Sequence, residues 1–246
     1  MIKGTLHAIN AYRRSFSLIN QLALWKYYMI PMAISFITAV GIGFSAWNFS
    51  DDIGAFIAKL WIWDWGAQTF ATLSTILGGL LVILVGLILY KHIVMALSAP
   101  FMSPVSEKIE VHLYGKKHEH RNTSNTGQLW RGIRINLRNL VWELVITLPL
   151  LILGLIPVVN FITTPLAFLV QAYYAGFGNM DYTLERHYTY RESVNFVKQN
   201  RALAIGNGIV FMGCLLIPVV GIIIVLPLSA TAASVVTLEC LETKKT

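Results

Sequence analysis

Ile156-Pro157-Val158-Val159 and Ile217-Pro218-Val219-Val220 are one tetrapeptide used twice, each time in the middle of a long apolar block, residues 140–180 and residues 202–238. A second proline follows each, at Pro165 and Pro227. Proline lacks a backbone donor and clashes with the turn before it, so it ends a helix unless it stands in the first turn of the next one. Each block therefore reads as helix, break, helix. A helix needs about 20 residues to cross a hydrocarbon core of roughly 30 Å, and residues 202–216 can reach only ~22 Å. The expectation is two hairpins that enter a membrane, turn inside it or near its far face, and return. Irregular backbone at that depth must be satisfied by protein or by a water-filled cavity, which makes the two turns the places of most interest.

The composition agrees on the solvent. Hydrophobic residues make up 56% of the 246 and charged residues 13%, with a mean hydropathy of +0.62, as in an integral membrane protein rather than a soluble one. A pI near 9.5 would suit a nucleic-acid binder, but the placement of charge explains it without one. Of 19 Lys and Arg, only Lys59 lies between the first two apolar spans. The positive-inside tendency then sets the other polar segments and both termini in the cytoplasm, and the loop with Asp51, Asp52, Lys59 and Asp64 outside. The apolar run near the amino end is too long for a cleaved signal and is read as an anchor. Cys214 and Cys240 have no metal spacing and read as packing groups.

The chain is thus expected to be a single all-α membrane domain. Residues 1–26 form an interfacial helix, with Leu6, Ile9, Phe16 and Ile19 on one side, and a corner. Residues 27–98 hold two transmembrane helices, with Trp25, Tyr27 and Trp47 at interfaces and Trp61, Trp63 and Trp65 as a headgroup anchor or a ligand platform. Residues 99–139 form a cytoplasmic segment, 140–180 the first hairpin, 181–201 a charged cytoplasmic bridge of a loop and one amphipathic helix, and 202–238 the second hairpin. Ser103-Pro104 has the form of a helix start. Glu107 and Glu110, at i and i+3, share a helix face as a functional carboxylate pair or a salt-bridged corner. Arg131, Arg134 and Arg138 recur on a surface helix that faces lipid phosphates or gathers anions. Glu143 lies one turn inside the first arm, either functional or paired.

No catalytic constellation, nucleotide loop or metal-ligand set is present; His118 and His120 alone are too few ligands. Neither an enzyme nor a cofactor is expected. Gly41-Ile42-Gly43 and Gly78-Gly79 read as helix-packing residues. What remains looks like transport. Thr164-Pro165 can cap and start the returning arm of the first hairpin, leaving free amides and a positive dipole end at membrane depth. Broken helices in transporters aim such ends at anions. Asn160, Thr163 and Thr164, with Gly221 in the second turn, either line a pathway or merely satisfy the turns.

Residues 24–31 (LWKYYMIP), Ala99-Pro100-Phe101 followed by Ser106-Glu107-Lys108-Ile109-Glu110, and the two proline-centred turns occur in an order and spacing that resembles the CysZ-type sulfate permeases, within a superfamily that includes the etoposide-induced membrane proteins. The resemblance implies two long spans with two hemi-penetrating hairpins and a homo-oligomer in the bacterial inner membrane. It also implies passage of sulfate, or a related oxyanion, for cysteine synthesis. In the family the anion sits at a Gly-Leu-Arg-Arg corner before the first span; here it reads Ala23, Leu24, Trp25, Lys26. Lysine offers a point charge where arginine offers a fork. The other reading is a membrane scaffold or lipid-interacting protein of the same fold that transports nothing. The partners expected are the oxyanion and membrane lipids.

Overall fold

Interruptions in backbone hydrogen bonding divide the chain at places that composition only partly marks. The computed structural model describes residues 2–59, 65–115, 124–154, 156–217 and 220–243. Trp61, Trp63, Asp64, His118, His120, Pro218 and Val219 lie outside these. Every regular element among the described residues is an α-helix: α1 Ile2–Gln21, α2 Trp25–Ala58, α3 Ala67–Tyr114, α4 Asn125–Leu153, α5 Pro157–His187, α6 Tyr190–Gln199, α7 Arg201–Leu215 and α8 Val220–Thr243. Five of them, α2, α3, α4, α5 and α8, are long and apolar enough to cross a membrane. The 15 residues of α7 are not, at about 1.5 Å per residue.

Three local expectations change. Helix α3 does not restart at Ser103-Pro104 but runs through Pro100 and Pro104. The carbonyl that Pro100 leaves without a helical donor, that of Ala96, is covered by α4, where a Cβ on Gly132 would stand 2.9 Å from it. Helix α5 begins at Pro157, with Ile156 as its N-cap, rather than at Pro165, because the first proline already occupies the position where a missing donor does no harm. The segment 181–201 is mostly not a surface bridge: α5 continues to His187, and Asp181, Glu185 and Arg186 on its last turns are buried. A capping box then opens α6, Glu192 accepting the Thr189 amide at 2.7 Å.

The chain forms two compact units, Ser35–Lys91 and Met1–Ile34 with His92–Thr246. In the first, α2 and α3 pair antiparallel. A Cβ on Gly54 would stand 2.5 Å from the Thr75 Cα, one on Gly78 2.6 Å from the Ser50 carbonyl, and one on Gly86 2.3 Å from Ile42. Gly78 is thus a packing glycine, as its sequence setting suggests. Gly41 and Gly43 meet nothing within 4 Å among the described residues.

In the second unit α8 is the central rod, and α1, α5 and α7 pack on it. Its residues from Ser229 to Val236 are all buried, as suits a helix apolar or small all round. Its hydroxyls bond back along the helix, Thr231 to the Pro227 carbonyl at 2.9 Å and Ser234 to that of Ala230 at 2.8 Å. Helices α5 and α7 cross at two small pairs four residues apart. A Cβ on Gly176 would come 1.8 Å from the Ala204 carbonyl, and one on Gly208 1.7 Å from the Ala172 carbonyl. Helix α1 docks on the same α7, with a Cβ on Gly206 2.4 Å from the Thr5 carbonyl. It buries Ala8, Ala11, Tyr12, Ser15, Leu18 and Ile19 and leaves Leu6 and Phe16 exposed, so the expected stripe is split between a protein face and an outer one. Gly176→Ala and Gly208→Ala should each destabilise the protein by about 1–3 kcal/mol through overpacking, read as a lowered Tm in detergent; an unchanged Tm would mean that the α5–α7 crossing is not this close.

Candidate functional site

The corner between α1 and α2 is built by a helix-ending motif. The Leu24 amide donates to the Ile19 carbonyl at 3.0 Å and the Ala23 amide to that of Asn20 at 3.2 Å, the paired bonds of a Schellman ending. Ile19 and Leu24 are both buried, supplying its usual apolar contact. Ala23 takes the left-handed position, with φ 48°, which suits glycine better than any residue with a Cβ. Since Ala23 and Leu24 have used their amides, those still open to a ligand belong to Trp25 and Lys26, at the positive end of α2. Trp25 is held aside, its Nε1 donating to Asn20 Oδ1 at 3.0 Å and its ring edge-on to Tyr28. Tyr28 in turn is buried against Thr231 of α8.

Lys26 is exposed, with Nζ 5.3 Å from the centre of the Tyr27 ring, and Lys108 of α3 places its own Nζ 5.5 Å from the same centre. Beside them is a cavity of about 550 Å³ walled by Leu22, Tyr27, Glu107, Lys108 and His112, among others. Lys108 and His112 were not singled out as anion ligands from sequence. The signal was available in part, since Lys108 stands inside the Ser106–Glu110 motif, but only tertiary contact brings α3 to the start of α2.

Glu107 and Glu110 separate. Glu107 is exposed at that cavity. Glu110 is buried and bonds Arg186 at 2.5 Å and His187 at 3.2 Å. Asn160, Thr163 and Thr164 lie in the first two turns of α5. Thr164 donates to Asn160 Oδ1 at 2.6 Å, and the Thr163 and Asn160 oxygens stand 3.0 and 3.2 Å from where Gly154 would carry a Cβ. Gly221 is a contact between α8 and the end of α7: a Cβ there would sit 1.8 Å from the Cys214 carbonyl. The corner lies between α1 and α2, the first turn at the start of α5 and the second between α7 and α8.

A fourth region is polar and buried. Arg131, read from sequence as a surface cation, makes a bidentate pair with Asp181 at 2.8 and 3.1 Å and also donates to the Tyr188 carbonyl and to Ser193, both at 2.7 Å. Glu143 pairs with His92 at 3.1 Å. Ser106, Thr183 and Ser234 form a chain of hydroxyls at 2.7 and 3.0 Å. Asn179 donates to Asn207 at 2.9 Å and Asn207 to the Ser229 carbonyl at 3.0 Å, while the Tyr12 hydroxyl donates to the Asn207 carbonyl at 2.7 Å and is hydrogen-bonded to Ser229 Oγ, also at 2.7 Å. Burial holds the Tyr12 phenol far above its usual pKa, so it stays a neutral donor. Among the described residues no three His, Cys, Asp or Glu side chains gather as a metal site.

Long apolar helices whose outward side chains are largely Leu, Ile, Val and Phe, with a hydrogen-bonded polar interior in the second unit, define a multi-pass helical membrane protein. The family model described as sulfate transporter CysZ/etoposide-induced protein 2.4 matches residues 11–225, and the chain belongs to that family. It is 28% identical over 220 residues to the protein named sulfate transporter CysZ of Pseudomonas fluorescens (strain Pf0-1), covering 86% of this chain and 85% of that one. It is also 28% identical over 213 residues to the protein of the same name from Pseudomonas aeruginosa (strain LESB58), covering 84% of each. Both relatives are named as transporters, not enzymes. Replacing the strained Ala23 should relax the corner: Ala23→Gly removes about 1–2 kcal/mol of left-handed strain, partly offset by the freer unfolded chain. A small rise in Tm is expected, and a fall would mean that the alanine is not strained.

Proposed function

We propose that this protein is an inner-membrane permease for sulfate or a related oxyanion, moving it by facilitated passage into the cytoplasm for assimilation into cysteine. Family membership and the two sulfate transporters it resembles carry the reading. The observation on this chain that supports it most is the convergence of Lys26 and Lys108 on one tyrosine beside the open end of α2. Two ammonium groups and the amides of Trp25 and Lys26 replace, in this reading, the arginine pair of the family's corner. The oxyanion would be drawn in by charge and held by amides, with Leu24 buried to keep the corner in shape. Glu107 at the cavity rim would repel the anion and favour its onward movement.

The reading includes two re-entrant hairpins, both termini in the cytoplasm, assembly as a homo-oligomer, and a path past Asn160, Thr163, Thr164 and Gly221. The helix tips support the hairpins. Ile156, Val158, Phe161 and Ile162 at the first turn are 52–85% exposed, and Leu216 at the second is 80% exposed. Tips so apolar belong in hydrocarbon or against another copy, not in water. Helix α7 is too short to reach the far face.

Labelled sulfate uptake into proteoliposomes tests the function. Uptake by the intact chain should exceed that of empty vesicles, and Lys26→Ala and Lys108→Ala should each lower it about tenfold, the loss of a charge-assisted hydrogen bond of ~1.5 kcal/mol. No uptake by the intact chain would leave the non-transporting scaffold in its place; uptake indifferent to both substitutions would move the site elsewhere. The hairpins have their own test. In a background without Cys214 and Cys240, Phe161→Cys should resist a membrane-impermeant maleimide from either side, whereas Asp52→Cys should react from outside.

A further inference from the structure

Two adjoining cavities on the outer face of α4, α5, α6 and α7 share Tyr173, Tyr174 and Lys198 as walls. One, of about 490 Å³, is cationic and aromatic, with Arg138, Arg191, Trp142 and Tyr190. The other, of about 310 Å³, carries Arg201 at one edge and is otherwise walled by Ile146, Leu166, Leu169, Val170 and Ile205. Among the described residues no carboxylate lines either one. Among the described residues none of Arg138, Arg191, Lys198 and Arg201 has a salt-bridge partner, although Arg14, Arg131 and Arg186 all do. Arg191, Lys198 and Arg201 are exposed.

The charged end is shaped rather than merely basic. Arg134 stacks on Tyr190, its guanidinium carbon 4.2 Å from the ring centre, and Arg138 lies over Phe177 at 5.3 Å, so two walls of the cationic cavity are fixed by contacts with the aromatic side chains. Charge and apolar surface are then ordered along the helices. On α4, Arg138 precedes Trp142 and Ile146 by one and two turns, about 6 and 12 Å along the axis. On α5, Tyr173 and Tyr174 precede the apolar wall in space, which Leu169 and Leu166 continue away from the cations. Leu166 is 47% and Leu169 39% exposed, so the apolar half opens outward.

We propose that this groove is a binding site for one anionic phospholipid, its phosphate among Arg138, Arg191, Lys198 and Arg201 and an acyl chain along Ile146, Leu166, Leu169 and Ile205. A free inorganic oxyanion would use the cations but leave the apolar wall without a purpose; a zwitterionic lipid would use the wall but bring its own cation against four that no carboxylate neutralises among the described residues. The anionic lipid matches both halves. The inference stands apart from the transported substrate and from the corner at Lys26.

Native mass spectrometry of the intact purified protein tests it, with dioleoyl phosphatidylglycerol and dioleoyl phosphatidylcholine titrated at equal ionic strength. One phosphatidylglycerol should be retained at about tenfold lower lipid concentration than phosphatidylcholine. Arg191→Ala with Lys198→Ala, both exposed positions, should abolish that preference, and Leu166→Gln should weaken retention without altering it. Sodium sulfate should displace the lipid no better than sodium chloride of the same ionic strength, and glycerol 3-phosphate should not compete. Equal retention of the two lipids, displacement by sulfate or glycerol 3-phosphate, or a change of oligomer size in the double variant would each overturn the proposal, the last by assigning the face to a subunit contact.

Discussion

The contact that everything else leans on is the crossing of α5 and α7, where backbone meets backbone. Carbonyls of Ala172 and Ala204 stand where side chains at Gly208 and Gly176 would have to be. Lipid supplies no hydrophobic push between helices, so close packing and hydrogen bonds must hold them together. The crossing brings Asn179 to Asn207 and Asn207 to the Ser229 backbone, which seats α8 behind the pair. Tyr12 then ties α1 to the same polar knot. A bulkier residue at either glycine would separate the helices and break these bonds, although none of those groups touches it.

The arginines inside the protein follow a related need, that a full charge taken out of water meet an opposite one. Arg131 and Arg186 are inside the protein, and each is met by a carboxylate. Pairs of this kind add little net stability, since removing both charges from water offsets their attraction, but breaking one is costly. They act chiefly to set where α3, α4, α5 and α6 lie against one another. With these arginines neutralised in place, Lys26 and Lys108 at the corner and the four along the α4–α7 groove are among the cations that meet no carboxylate among the described residues. Those are the groups on which the proposed sulfate and lipid readings rest.

Much of the architecture was legible before any coordinates. Two proline-centred blocks and sparse charge pointed to an all-helical membrane protein, the order and spacing of residues 24–31, Ala99-Pro100-Phe101, Ser106–Glu110 and the two turns carried the resemblance to the sulfate permeases, and the shortness of α7 followed from counting residues. The errors share a cause. Pro104 and Pro165 read as helix starts, yet both are inside helices, as Pro100 is; a neighbouring helix can cover the carbonyl a proline leaves free, as Gly132 does for Ala96. Likewise Asp181, Glu185 and Arg186 looked like a surface bridge because charged residues near apolar blocks usually are. The spacing of Ala172 with Gly176 and of Ala204 with Gly208 was in plain view, but a small residue announces a close approach without naming its partner.

By itself, then, the sequence determined the solvent, the helical class and the break before Pro157, since these depend on composition and on short-range backbone chemistry, and the order and spacing of its motifs carried the resemblance to the family. Tertiary structure alone decided which charges are cancelled and which stay open. It paired Arg131 with Asp181 and Glu110 with Arg186, each partner more than 45 residues away, and it brought Lys108 to the ring beside Lys26. Electrostatic attraction falls with distance in space, and distance in space between helices is set by how closely their backbones pack, which no local pattern of residues records.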